Sequence, residues 1–76
     1  MVRAEQAKIQ KCINSLSFAI ESFRIEIAAA NVRHEMLQAD DPERKVLKMY
    51  VKELEDSIID LKDIRADYEG RIKANA

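Results

Sequence analysis

Residues that break helices or cross-link a chain are scarce in this sequence. Its 76 residues include one glycine, Gly70, one proline, Pro42, and one cysteine, Cys12. A single cysteine cannot form a disulfide within the chain, and together with the one histidine, His34, it is too few for a Cys/His metal site. Because helix breakers are almost absent, the sequence predicts long helices.

An excess of charge of one sign is also lacking. Lys and Arg number 13, Asp and Glu number 14, and the formal net charge is −1, so no global charge draws the chain to nucleic acid or to an anionic membrane. The stretch Met1–Glu5 lacks the apolar block of a signal peptide, and no apolar run approaches the roughly 18–20 residues of a membrane span. We therefore expect no membrane association and a reduced, cytoplasmic compartment.

The one strong turn signal lies at residues 39–43. Asp41 before Pro42 is typical of an N-cap followed by the first helical position, where the missing proline N–H costs nothing. The sequence therefore predicts a single domain over residues 1–76, with a first helix over about 2–39, a turn at 39–41 and a second helix over about 42–73. A connection this short makes the helices antiparallel neighbours. The predicted fold is an all-α, coiled-coil-like two-helix hairpin.

Each predicted helix carries an apolar row in which steps of three and four residues alternate. In the first helix this inner row is Val2, Gln6, Ile9, Ile13, Leu16, Ile20, Phe23, Ile27, Ala30, His34 and Leu37. In the second helix the inner row is Leu47, Val51, Leu54, Ile58, Leu61, Arg65, Tyr68 and Ile72. The two rows are expected to face each other. We expect the stem of Arg65 to lie on Ile20, with its guanidinium group reaching Glu21 or solvent.

The first helix has a second apolar row, which we call the outer row. Its members are Ser15, Phe18, Ser22, Ile25, Ala29, Val32 and Met36. At about 100° per residue the outer row is centred roughly 160° from the inner row, so nothing within a two-helix chain can cover both. We predict that the six residues from Phe18 to Met36 form a self-interface in a homodimer or higher oligomer, a helical bundle with the first helices central. A helix of another protein is the alternative occupant.

The second helix carries a row of carboxylates, which we call the acidic ridge. Its members are Glu53, Asp56, Asp60, Asp63 and Asp67. A solvated face that keeps an oligomer soluble is the simplest interpretation. The functional interpretations are docking to a basic surface of a protein partner, or imitation of a nucleic-acid backbone in the groove of a DNA-binding protein.

A basic end lies where the chain termini are expected to meet. Its members are Arg3, Lys8, Lys11, Arg71 and Lys73. This cluster keeps RNA binding open as an alternative function, although no aromatic stacking groups accompany it. We predict no catalytic residues, no metal and no cofactor, because an isolated hairpin has no cleft in which carboxylates acquire shifted pKa values. A pocket for a small ligand between subunits is a further alternative.

The stretch Leu37-Gln38-Ala39-Asp40-Asp41 resembles the turn of the plasmid-encoded Rop-type regulators, in which two helical hairpins form a four-helix bundle. The resemblance covers the turn and the architecture, and no family membership is inferred from it. It implies a regulatory bundle, which is one form of the RNA-binding alternative. Small, highly charged helical chains are also common among accessory proteins of phages and mobile elements. Our prediction is a non-enzymatic, homo-oligomeric interaction module that binds and modulates a protein partner.

Overall fold

Two long α-helices make up the computed structural model, which describes the backbone of residues 2–74 and the side chains of residues 4–74. Helix α1 spans Val2–Met36 and helix α2 spans Glu43–Ala74. No strand occurs in this described part of the chain, so the prediction of an all-helical chain is confirmed. The predictions for the side chains of Val2, in the inner row, and Arg3, in the basic end, fall outside the described residues.

Helix α1 ends at Met36, before the end near residue 39 that the sequence predicts. At this end, Nη1 of Arg44 donates hydrogen bonds to the backbone carbonyls of His34 at 3.1 Å and Leu37 at 2.8 Å. The Leu37 amide also donates to the His34 carbonyl at 3.3 Å. These bonds satisfy carbonyl groups that a helix end otherwise leaves without partners, so the chain can leave the helix early.

Helix α2 begins at Glu43, immediately after the proline. The Oδ1 atom of Asp41 accepts a hydrogen bond from the Glu43 amide at 2.9 Å, and the Asp41 carbonyl accepts one from the Arg44 amide at 3.1 Å. A carboxylate at this position satisfies a free N–H group and favours the positive end of the helix dipole. Asp41 therefore caps α2, and the helix then continues to Ala74.

The two helices pack along each other through their inner rows. The buried residues among those described are Ile13, Ile20, Ala30, Leu54 and Ile58. All five belong to the predicted inner rows, three on α1 and two on α2. Ile20 is the most enclosed, with 2% of its surface exposed. The arrangement fits a helical hairpin whose core is a single seam between the helices.

A single seam gives a thin, elongated molecule. Its principal extents are 59 × 14 × 12 Å and its Cα radius of gyration is 17.3 Å, whereas a compact domain of this length has a radius of gyration of roughly 11 Å. A chain this short buries only a small core even when it is compact. Most side chains of the hairpin therefore remain in contact with water.

Candidate interaction surfaces

The outer row of α1 is exposed along its length. Its four large members, Phe18, Ile25, Val32 and Met36, are 76%, 64%, 60% and 80% exposed, respectively. The small members between them are exposed or half-buried. Burial of apolar surface lowers the free energy by roughly 25 cal/mol per Å². A continuous exposed row of this kind is therefore a candidate contact surface. That it binds a second copy of the chain stays a prediction.

The polar side chains along one edge of the outer row bond to α2. Arg33 binds the Oε2 atom of Glu43 through Nε at 2.9 Å and Nη2 at 2.7 Å. Two turns earlier on α1, the carboxylate of Glu26 accepts a hydrogen bond from the hydroxyl of Tyr50. Loss of solvent around the phenol raises the pKa of Tyr50 above its usual 10.0, and the charge and hydrogen bond of Glu26 add to the rise. These bonds tie the two helices together beside the outer row.

The acidic ridge is exposed on α2, and all five of its carboxylates face solvent. Among the described residues, Asp67 is the one member of the ridge that forms an ion pair. Its Oδ2 atom lies 3.1 Å from Nη2 of Arg71. Like charges that recur on successive turns repel one another. A positively charged partner would reduce this repulsion between the carboxylates of the acidic ridge. A function for the ridge stays a prediction.

Two apolar residues extend the line of the acidic ridge toward the connection between the helices. Val46 and Met49 are 63% and 62% exposed, and they continue the three-and-four spacing that leads to Glu53 and Asp56. Sequence reasoning missed them because it followed the carboxylates alone. The signal that could have found them is the same spacing, carried two turns further toward the start of α2. We call Val46, Met49 and the acidic ridge together the α2 outer face.

The four described members of the basic end are all exposed. Lys8 and Arg71 border one shallow depression, which Glu5 also lines. Arg71 is already engaged within α2, because it pairs with Asp67 and lies 5.1 Å above the ring centre of Tyr68. The structure therefore brings basic residues of both helices together, but it also places carboxylates beside them.

A shallow, mostly apolar depression of about 350 Å³ lies between the helices. It is lined by Lys11, Cys12, Ser15, Leu16, Ile64 and Tyr68. The Cys12 thiol is free and exposed there. The depression is open to solvent, so a small apolar ligand would need a second chain to enclose it, as the ligand-binding alternative supposes.

The described residues contain neither a cluster of metal-ligating side chains nor a membrane-spanning helix. Within residues 4–74, no group of three or more His, Cys, Asp or Glu side chains is placed to hold a metal ion. Over the part of the chain that the structure describes, neither α1 nor α2 combines the length and the apolarity that crossing a membrane requires.

No protein-family model, no curated protein and no solved structure matches this chain.

Proposed function

We propose that this chain is a non-enzymatic protein-interaction module, an antiparallel two-helix hairpin that self-associates through the outer row of α1 and binds and modulates a protein partner. The observation that carries the proposal is the exposure of four large apolar side chains on the side of α1 away from the seam with α2. The hairpin has no third helix among its described residues to cover them. A second chain is the simplest cover.

Contacts at both ends of the molecule support the antiparallel hairpin. Near the connection, the ion pair between Arg33 and Glu43 joins the last turns of α1 to the first turn of α2. At the other end, Lys8 near the start of α1 and Arg71 near the end of α2 border the same depression. Such pairs are expected when the second helix runs back along the first.

The surface area of the hairpin supports self-association. The chain exposes 5952 Å², whereas a compact monomer of 8.8 kDa exposes roughly 4,800 Å². The excess is about 1,200 Å² per chain, so two chains that buried it would share an interface of about 2,400 Å². That area lies in the range of obligate homodimers, and the apolar outer row is the surface best suited to supply its centre.

The direction of the outer row decides the order of helices in such an assembly. In a square four-helix bundle each helix contacts its two neighbours through faces about a right angle apart. The inner and outer rows of α1 are instead roughly 160° apart. The proposed assembly is therefore a flat layer, with the two α1 helices in the middle and the two α2 helices outside.

This order leaves the α2 outer face available for the protein partner. Its five carboxylates would be the most accessible charged surface of the layer, and Val46 and Met49 add an apolar contact at one end. Charge complementarity speeds encounter and selects partners, while desolvated apolar groups stabilise the contact. A partner that carries a basic surface beside an apolar pocket fits this face.

The self-association can be tested by light scattering on purified variants. Placing charges in the outer row with the pair Phe18→Glu and Ile25→Glu should give monomers, because ionised carboxylates are costly to bury. The control pair Gln10→Glu and Asn31→Glu adds the same charge off the row and should keep the mass of the wild type. A wild type that is already monomeric and stably folded would overturn the proposal.

Partner binding can be tested by affinity capture with two matched variants. The first reverses charges on the acidic ridge, with Asp56→Lys, Asp60→Lys and Asp63→Lys. The control reverses exposed carboxylates off the ridge, with Asp40→Lys, Glu55→Lys and Glu69→Lys. A protein retained by the wild type and the control, and lost from the first variant, would support the proposed partner site.

Two outcomes of the capture experiment would argue otherwise. Retention of the same proteins by all three baits would remove the acidic ridge from the partner site. Recovery of RNA, lost steeply between low and moderate salt, would favour the alternative in which the basic end binds nucleic acid.

A further inference from the structure

Large and small residues alternate along the outer row of α1. The small residues Ser15, Ser22 and Ala29 are seven apart, and each is followed three residues later by a large one. The large residues are Phe18, Ile25 and Val32, which are also seven apart and are all more than half exposed. Met36 ends the row with a large residue in the position that the small residues occupy. The row is therefore a series of ridges and gaps with a regular seven-residue period.

This alternation distinguishes the two ways in which α1 can pack on α1 of a second copy. In a parallel pair in register, each position of the row meets its own equivalent, so small residues would face small ones and large would face large. Small residues that face each other leave a gap, and large residues that face each other are crowded. Both arrangements depart from the close packing of protein interiors. In an antiparallel pair the small positions of one helix meet the large positions of the other.

Building on the proposed function, we propose that two copies of α1 pack antiparallel through the outer row, about a two-fold axis that crosses α1 between Ser22 and Ala29. Two registers set small residues against large ones near the middle of the row. In the first, Ser22 faces Ile25 of the second copy. In the second, Ala29 faces that Ile25, but Phe18 then faces Met36, so the first register has the better alternation along the whole row. Both registers place the axis in the same two turns of α1, because the axis lies midway between the two positions that face each other.

A two-fold axis in the middle of the row makes a distance prediction. At 1.5 Å of rise per residue, Ile25 lies within about 6 Å of its own equivalent along the helix direction in either register. Ser15 and Met36, at the two ends of the row, lie at least about 25 Å from theirs by the same rise. In a parallel pair in register all three residues would be level with their equivalents.

Single-cysteine cross-linking tests this orientation. The natural thiol is first removed with Cys12→Ser, a change at an exposed position. Single cysteines are then placed by Ile25→Cys, Ser15→Cys and Met36→Cys, and each protein is treated with a short bis-maleimide. We expect cross-linked dimer as the main product for Ile25→Cys and only background for the two end positions.

The outcomes separate this inference from the proposed function on which it rests. Efficient cross-linking at all three positions would show a parallel pair, which would overturn the orientation and leave self-association intact. A dimeric mass with no cross-linking at any position would show that another face is used, which would overturn the antiparallel outer-row contact. A monomeric mass for the cysteine-free protein and all three variants would overturn both proposals.

Discussion

Arg65, the one charged member of the inner row of α2, donates a hydrogen bond from Nη1 to the hydroxyl oxygen of Ser17 at 3.1 Å. The sequence predicts Glu21 or solvent as its partner. Glu21 instead lies 3.5 Å from Arg24 on its own helix. Because both ends of the bond are partly buried, the guanidinium group finds an acceptor beside the seam, and the bond connects the middle of the two helices.

A double-mutant cycle measures this connection. Ser17→Ala removes the acceptor and Arg65→Met removes the donor while keeping most of the stem. We expect a coupling free energy of about 0.5–1.5 kcal/mol, the usual net value of an intramolecular hydrogen bond. Urea unfolding of the wild type, both single variants and the double variant gives the value, and the cycle cancels changes in helix propensity. A coupling energy indistinguishable from zero would contradict the contact.

Arg44 is expected to stabilise the connection between the helices. Replacing it with Met keeps the stem but leaves the carbonyls of His34 and Leu37 without their charged donor, which should cost about 1.5–3 kcal/mol. The neighbouring substitution Lys45→Met, at an exposed position, is the control and should change stability by no more than about 0.5 kcal/mol. Urea midpoints followed by circular dichroism give both values, and equal losses for the two variants would count against the role of Arg44.

Ile20 and Ile25 should respond differently to the same truncation. Ile20 is 2% exposed in the seam and Ile25 is 64% exposed on the outer row. Ile20→Ala should cost about 2–5 kcal/mol at any protein concentration, as buried truncations do. Ile25→Ala should cost more than the roughly 0.5 kcal/mol typical of an exposed substitution, because a second chain covers its side chain in the proposed assembly. Urea unfolding of both variants against the wild type gives the two losses, and a loss of no more than about 0.5 kcal/mol for Ile25→Ala would speak against the outer-row interface.

Tyr50 gives a prediction for alkaline pH. Its pKa is raised by loss of solvent and by Glu26, so the fold favours the neutral phenol. The neutral phenol therefore stabilises the folded state fully at pH values below the pKa of an unfolded tyrosine, near 10.0. This contribution to the free energy of unfolding is lost as the pH rises through the raised pKa of Tyr50 in the folded chain. In a Tyr68→Phe background, absorbance titration follows Tyr50 alone, since the chain has two tyrosines.

Removing the charge of Glu26 tests the cause of this shift. With Glu26→Gln in the same background, the pKa of Tyr50 should move down toward its ordinary value. Glu69→Gln, far from Tyr50 along α2, should leave the titration unchanged. If Glu26→Gln and Glu69→Gln give the same curve, the described contact between Glu26 and Tyr50 is not the source of the shift.

Local sequence signals predict the two helices and their seam. The alternating steps of three and four place Ile20, Leu54 and Ile58 in the core, because a helix can turn only one such row toward a single neighbour. Asp41 and Pro42 predict where α2 starts, because capping depends on residues close together in sequence. These features need no knowledge of the rest of the fold.

Other features depend on contacts across the connection or between the helices. At the end of α1, Arg44 reaches back across the connection to the carbonyls of His34 and Leu37. The hydrogen bond of Arg65 to Ser17 depends on the level at which the two helices meet. A one-dimensional pattern does not contain this information.

Sedimentation equilibrium of the wild-type protein over a range of concentrations tests the central claim, that a second copy of the chain covers the outer row of α1. We predict a mass of at least twice the 8.8 kDa of one chain, with dissociation and loss of helix together as the protein is diluted. A fully helical species of 8.8 kDa at every concentration would contradict the account, because the hairpin would then be stable with its outer row in water.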